Sequence, residues 1–338
     1  MKSKQIVGIV VAGVVFIVSG VAGVYTNKFA DLYGDKQSSY FKELEKLTKE
    51  ASIDLPTTEN YIGRLDIVGE ISASSSSAFA NSSGEYDHEL YMKYVDEMMK
   101  SDKNKGILLY VNTPGGAVYQ TDELYLKLME YKEKTKRPVY AYFADQACSG
   151  GYYISMAADK IYANRNTWTG SIGVMISMVN AKGLYEKLGI EEINITSGAN
   201  KAMGSVGQKL SEEQRGILQS LVDESYDQFV DIVANGRKMD QEKVRELADG
   251  RIYSANQALE AHLIDQVGSY DDLLKNMKKE CKLSKNIKIF ELDRSTSSFW
   301  SGLFGRAEKL MPKSETQATS ELVGKLEEKN WELMYYAE

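Results

Sequence analysis

The sequence predicts an α/β protein built around a mostly parallel sheet. A short apolar run at 106–111 has the length and composition of a buried strand, and 61–68, 139–143 and 160–163 also read as strands. Stretches with helical spacing of apolar residues, at 88–99 and 119–134, separate them. The alternation of the two argues for right-handed βαβ units. The 338 residues, 43% apolar and 26% charged, suit a chain with a substantial core.

In chain order, Lys2 and Lys4 precede an uncharged run at 6–25. About 20 apolar residues suffice to cross a bilayer. The run therefore reads as an N-terminal transmembrane helix, with its short N-terminus cytoplasmic and the remainder outside. A cleaved signal peptide competes with this, but its apolar core normally spans only about 7–15 residues. Residues 26–60 are polar and read as a stalk. Residues 61–292 read as one catalytic domain and 293–338 as a C-terminal tail. Serine and alanine dominate 72–84, which reads as a loop.

In the helix at 119–134, Asp122 and Glu123 sit in the first turn and Lys132 and Lys134 near the end, as the helix dipole favours. Further helices are expected at 150–158 and 181–188, and further strands at 172–179 and 192–196. Ser211-Glu212-Glu213-Gln214 is a capping box opening a long helix to about residue 237. Phe299, Trp300, Leu303, Phe304 and Leu310 form an apolar face. It reads as packing against the body or a neighbouring subunit, with an interfacial membrane helix as the alternative.

A net charge of −7 gives no reason to expect nucleic acid binding. Two cysteines, Cys148 and Cys281, exclude a disulfide framework. No metal-ligand cluster or phosphate-cradling loop stands out, so no cofactor is expected.

The chemistry-bearing residues cluster at turns. Ser149 lies in Ala147-Cys148-Ser149-Gly150-Gly151-Tyr152-Tyr153, a glycine-bearing turn after an apolar strand. A serine nucleophile needs a base, usually imidazole, yet the chain has only His88 and His262. A neutral lysine is the rarer solution, and it must titrate about 3 pH units below its ordinary 10.4. Burial in an apolar pocket can do that. Lys201, in Ser197-Gly198-Ala199-Asn200-Lys201, is the candidate, but spacing alone does not single it out among 41 basic residues. Ser171, in Thr169-Gly170-Ser171-Ile172-Gly173, offers a hydroxyl to orient an amine. Gly116, in Asn112-Thr113-Pro114-Gly115-Gly116, and Gly150 read as backbone donors to an oxyanion. An ordinary β–α turn is the plainer reading of the proline-glycine-glycine run. Cys148 reads as a small buried neighbour of Ser149 rather than half of a Cys–His dyad.

The Asn112–Gly116 run resembles the glycine loop of the Clp protease and crotonase superfamily. The Ser149, Ser171 and Lys201 motifs, with Ala248-Asp249-Gly250-Arg251-Ile252-Tyr253, resemble the signal peptide peptidases of peptidase family S49 in their short, single-repeat form. Five motifs in the family's order span about residues 60–280. The resemblance implies a fold of repeated ββα units, with Ser149 as nucleophile, Lys201 as general base and Ser171 holding the lysine. It also implies Gly116 and Gly150 as the oxyanion donors. The family usually has alanine where this chain has Cys148. It further implies a homo-oligomeric ring, an octamer, in which serine and lysine come from adjacent protomers. The expected activity is membrane-anchored hydrolysis of peptides, including signal peptide remnants. A crotonase-like thioester enzyme and a non-catalytic membrane scaffold are the alternatives. The apolar tail at 333–338 is expected to enter an active site, restraining it or being trimmed by it.

Overall fold

Strands β1 (Tyr61–Val68), β2 (Asn104–Thr113) and β4 (Val139–Cys148) run parallel in the order β4-β2-β1 at the centre of the molecule. These belong to a computed structural model that describes residues 53, 55–73, 86–292 and 334–336. The expected anchor at 6–25, almost all of the stalk, most of the serine-rich loop and the apolar face at 299–310 lie outside the described residues. Among the described residues no helix is long and apolar enough to cross a membrane.

Each central strand is buried on both faces, as parallel sheets require. Tyr61, Leu65, Ile67, Ile107, Leu109, Val111, Ala141 and Phe143 face one core. Their alternates Ile62, Leu108, Tyr140 and Tyr142 face a second, smaller one. This two-residue period follows from the strand geometry. Helices α1 (His88–Lys100) and α2 (Val118–Thr135) cover the larger face.

The short β3 (Gly115–Ala117) lies between β2 and α2, and α3 (Gly150–Ser155) follows β4 directly. β5 (Lys160–Ala163) and β6 (Trp168–Gly170) both pair parallel with β4, β6 along the last residues of that strand. α4 (Lys182–Leu188) follows. α5 (Glu212–Arg237) carries the expected capping box, in which Ser211 accepts from Gln214 N. α6 (Gln241–Leu247), β7 (Ile252–Ser254) and α7 (Ala255–Glu260) lead to β8 (Gln266–Val267). β7 is antiparallel to β6, and β8 is parallel to β5. α8 (Tyr270–Glu280) covers the second face through Leu273 and Met277, and β9 (Lys288–Glu291) closes the sheet beside β1. A final strand, β10 (Met334–Tyr336), pairs with β3 outside the main sheet.

The expected strands at 172–179 and 192–196 do not form. Gly170 and Ser171 both have positive φ, 87° and 48°. They turn the chain off the sheet as β6 ends, and among the described residues neither apolar run forms a strand. The helix expected at 150–158 ends at Ser155, and a tighter turn completes it, with Met156 N bonded to Tyr153 O. His262 lies beyond the end of α7 at φ 58°.

Candidate active site

Ser149 joins β4 to α3 with φ 51° and ψ −116°. A non-glycine residue there costs about 1–3 kcal/mol, which the surrounding structure must over-determine. It does so through three neighbours. Ser149 N donates to Gly170 O at 2.8 Å, and Tyr153 N donates to Ser149 O at 2.9 Å. Cys148 and Gly170 stand in register across β4 and β6. On the far side a Cβ on Gly151 would meet Thr113 Cγ2 at 2.4 Å. Helix α3 therefore lies directly over the end of β2. The Ser149 side chain is fully buried, and its Oγ has no hydrogen-bond partner.

The β3 segment is oriented just as tightly. Thr113 Oγ1 accepts from Gly115 N at 3.0 Å. Ile71 N donates to Gly115 O at 2.8 Å, and Ala117 N donates to Ile71 O at 2.7 Å. Successive residues of a strand aim their polar groups to opposite edges. Gly115 and Ala117 are engaged with Ile71, so Gly116 presents its N–H and C=O to the other edge. Gly116 has φ 153°, and a Cβ there would sit 1.9 Å from Ile71 O, so no side chain is tolerated. A Cβ on Gly150 would stand 3.4 Å from Gly116 N. The residues expected to supply the two oxyanion amides thus converge beside the Ser149 turn.

The other edge of β3 carries β10 antiparallel, with Tyr335 opposite Gly116. An extended segment therefore fits along this edge.

Ser171 follows the Gly170 carbonyl that accepts from Ser149. It is nearly buried, and its N donates to Arg251 O at 2.8 Å. The structure so gathers Ser149, Gly150, Gly116 and Ser171 in one region. Lys201 is different. It is exposed, in a turn closed by Lys201 N donating to Gly198 O. Since Ser149 Oγ has no partner, Lys201 of the same chain is not bonded to it. The surrounding segment is rich in exposed aliphatic residues, among them Val179, Leu188, Ile193 and Ile195, the last 97% exposed.

The cysteine alternative fails on acidity. Burial pushes the Cys148 thiol up to about 12, and its Sγ lies 3.6 Å from Trp168 O. His88 is held by Tyr86 Oη at Nδ1 and Glu123 at Nε2. No group of metal-ligating residues is found among the described residues.

Two neighbours escaped the sequence reading. Ile71 follows a strand with nothing in its vicinity to mark it as a partner of the glycine loop. Thr121 sits on the first turn of α2 with a buried hydroxyl that has no partner. A polar residue there, where the helix leaves the glycine loop for the core, is the one signal that pointed to it.

A family model for "Peptidase family S49" matches residues 131–284, and one for "Clp protease" matches residues 76–177. A protein of Enterococcus faecium assigned as a signal peptide peptidase SppA is 44% identical over 221 residues, 65% of this chain and 64% of that protein. A protein of Synechocystis assigned as a protease is 39% identical over 216 residues, 64% of this chain and 73% of its own length. The chloroplastic serine protease SPPA of Arabidopsis thaliana is 30% identical over 213 residues, 62% of this chain and 31% of that protein.

Proposed function

The chain belongs to the serine proteases of peptidase family S49, and we propose that it cleaves peptides with a Ser149–Lys201 dyad completed between protomers. The observation that carries this reading is the fully buried, unpartnered Ser149 Oγ at a strained turn beside the Gly116 and Gly150 amides. A hydroxyl so placed attacks a carbonyl whose developing negative charge the two amides stabilise.

Ser149 Oγ bonds to the carbonyl carbon as its proton passes to the neutral Lys201 amine. The amine is held by Ser171 and returns the proton to the leaving nitrogen. Water then repeats the sequence on the acyl-enzyme. Lys201 is exposed within one chain, and docking of a second copy is what would desolvate it. Desolvation disfavours the charged form and so makes a base at neutral pH. The exposed aliphatic residues from 179 to 195 support such docking, since contiguous exposed apolar surface marks protein contacts. A ring, an octamer, is the assembly this reading favours.

The free β3 edge suits an extended substrate that pairs main chain to main chain. The pairing with β10 supports this, and the tail restrains the site until a peptide displaces it. The uncharged run at 6–25, with Lys2 and Lys4 before it, supports a single-pass anchor with the catalytic domain outside the cytoplasmic membrane. Signal peptide remnants and unfolded segments near the bilayer are the substrates proposed.

The test is hydrolysis of a fluorogenic peptide panel by the full-length protein in detergent, beside Ser149→Ala and Lys201→Ala. Both variants should lose activity with unchanged oligomer mass. Activity surviving in Lys201→Ala would remove the dyad. A wild type that neither cleaves nor reacts with a serine-directed phosphonate would favour the scaffold alternative.

A further inference from the structure

Beside the two amides lies a second hydroxyl that the proposed chemistry does not yet use. Thr121, on the first turn of α2, is fully buried, and its Oγ1 has no hydrogen-bond partner. A threonine inside a helix ordinarily bonds the carbonyl one turn back. Thr135 of the same helix does so, donating to Tyr131 O at 2.6 Å. Thr121 makes no such bond. Valine would fill the same volume without a buried hydroxyl to satisfy, so the hydroxyl is a cost to the empty site.

Its position gives it a partner once substrate is bound. A methyl group built on Gly150 would lie 2.7 Å from Thr121 Oγ1 and 3.4 Å from Gly116 N. Hydroxyl and amide therefore border the same small space on one side of Gly150. Ile71 Cδ1, 3.3 Å from the same point, closes the space with an apolar wall, and of the three nearest groups Thr121 Oγ1 is the one polar donor on a rotatable bond.

We propose that Thr121 is a third hydrogen-bond donor of the oxyanion pocket. As Ser149 Oγ bonds to the carbonyl carbon, the carbonyl π pair moves onto oxygen. Thr121 Oγ1–H turns to that oxygen alongside the Gly116 and Gly150 amides. When the carbonyl re-forms and the amine leaves, the pair returns and Thr121 keeps its proton throughout. Thr121 is neither acid nor base. It donates most strongly when the acceptor is charged, so its contribution falls on the transition state rather than on ground-state binding.

The inference rests on Ser149 being the nucleophile, and the test separates the two. Thr121→Val and Thr121→Ser are compared with wild type for kcat and KM on one fluorogenic peptide, with melting temperature and oligomer mass as controls. Thr121→Val removes only the hydroxyl from a nearly isosteric side chain. It should lower kcat roughly a hundredfold, as loss of an oxyanion donor does, with KM little changed. Thr121→Ser should restore kcat to near wild type. The rate of Ser149 labelling by a serine-directed phosphonate, whose oxygen occupies the same pocket, should fall in parallel for valine and recover for serine.

The proposal is overturned if Thr121→Val keeps wild-type kcat, or if its whole effect lies in KM. It is overturned too if the valine and serine variants lose kcat equally, which marks a packing role. If wild type itself neither cleaves nor labels, the protease reading fails, not the assignment of Thr121 within it.

Discussion

Ser149 is fully buried at the joint of three strands and a helix, whereas Lys201 is exposed on a segment whose helix, α4, buries none of its residues. The backbone on the serine side is held within one chain. Thr169 Oγ1 donates to Ala147 O at 2.6 Å, Thr113 ties Gly115, and Ile71 occupies one edge of β3. The segment around the lysine holds itself by short-range bonds, such as Asn200 to Glu213 at the start of α5 and Asn194 to Glu192, while its aliphatic residues face out. A region that leaves isoleucines in water is shaped for a surface other than its own core. The contrast teaches that the two residues answer to different constraints: the turn at Ser149 is set by its own fold, and Lys201 stands exposed beside aliphatic residues that the fold does not bury.

The sharpest way to break this contrast is to mix two dead proteins. Ser149→Ala and Lys201→Ala should each lose a thousandfold or more, about the scale of removing a nucleophile or its base. Co-assembled at equal amounts, they should regain about a quarter of wild-type activity. Half of the serines and half of the facing lysines are then intact, and they meet at random across a heterologous interface. No recovery in mixed oligomers of verified composition would mean that serine and lysine come from one chain.

A paired comparison separates assembly from folding. Ile195→Asp should lower the oligomer mass and the activity together, yet leave the unfolding free energy of the separated protomer within about 0.5 kcal/mol. Asp265→Ala should do the reverse. Asp265 accepts from Ile161 N at 2.8 Å and from Arg237 at 3.0 Å. Burial acts to raise its carboxyl. The Arg237 bond and charge, the Ile161 N–H and Lys160 together outweigh that, so the net shift is downward. Removing Asp265 strands a largely buried Arg237, at a cost of about 3 kcal/mol. A depressed carboxyl contributes stability that is full above its unfolded value of about 3.9 and is lost as pH falls through the folded value. The wild type should therefore lose this difference below about pH 4 and the variant should show none of that loss. Calorimetry from pH 2 to 7 reads both.

The smallest effect is expected one residue from the nucleophile. With its thiol pushed up to about 12 by burial, Cys148 should ignore iodoacetamide at neutral pH. Cys148→Ala should change kcat/KM by no more than about twofold, since the side chain acts as a small apolar filler. A large loss would make Cys148 part of the turn's chemistry.

The central sheet was legible because its signal is local. Residues 106–111 of β2 and 139–143 of β4 read as continuous apolar runs, as strands covered on both faces do, whereas β1 interrupts its apolar residues with Arg64 and Asp66. The same rule misread 172–179 and 192–196, whose runs are apolar for a different reason. Ile193 and Ile195 have no strand beside them and stand exposed. Composition does not say whether an aliphatic run meets its own sheet or another surface. As turns that follow strands, the Gly116 and Ser149–Gly150 segments were legible from their glycines, while their catalytic roles are proposals. Lys201 was not legible from spacing, and only its motif's likeness to a family drew attention to it. Ile71 and Thr121 come beside the glycine turns through tertiary proximity, which no short sequence window contains.

The two edges of β3 are not equivalent. One is closed by Ile71, and the other pairs with β10. A segment tethered to the chain competes at an effective concentration set by the tether, not by how much protein is present. On the proposed reading, in which the tail restrains the site, diluting or concentrating the enzyme would leave the fraction of occupied edges unchanged, while adding peptide would lower it. The enzyme would then behave as though a fixed dose of competitive inhibitor travelled with every molecule, ignoring scarce peptide and turning on where peptide accumulates.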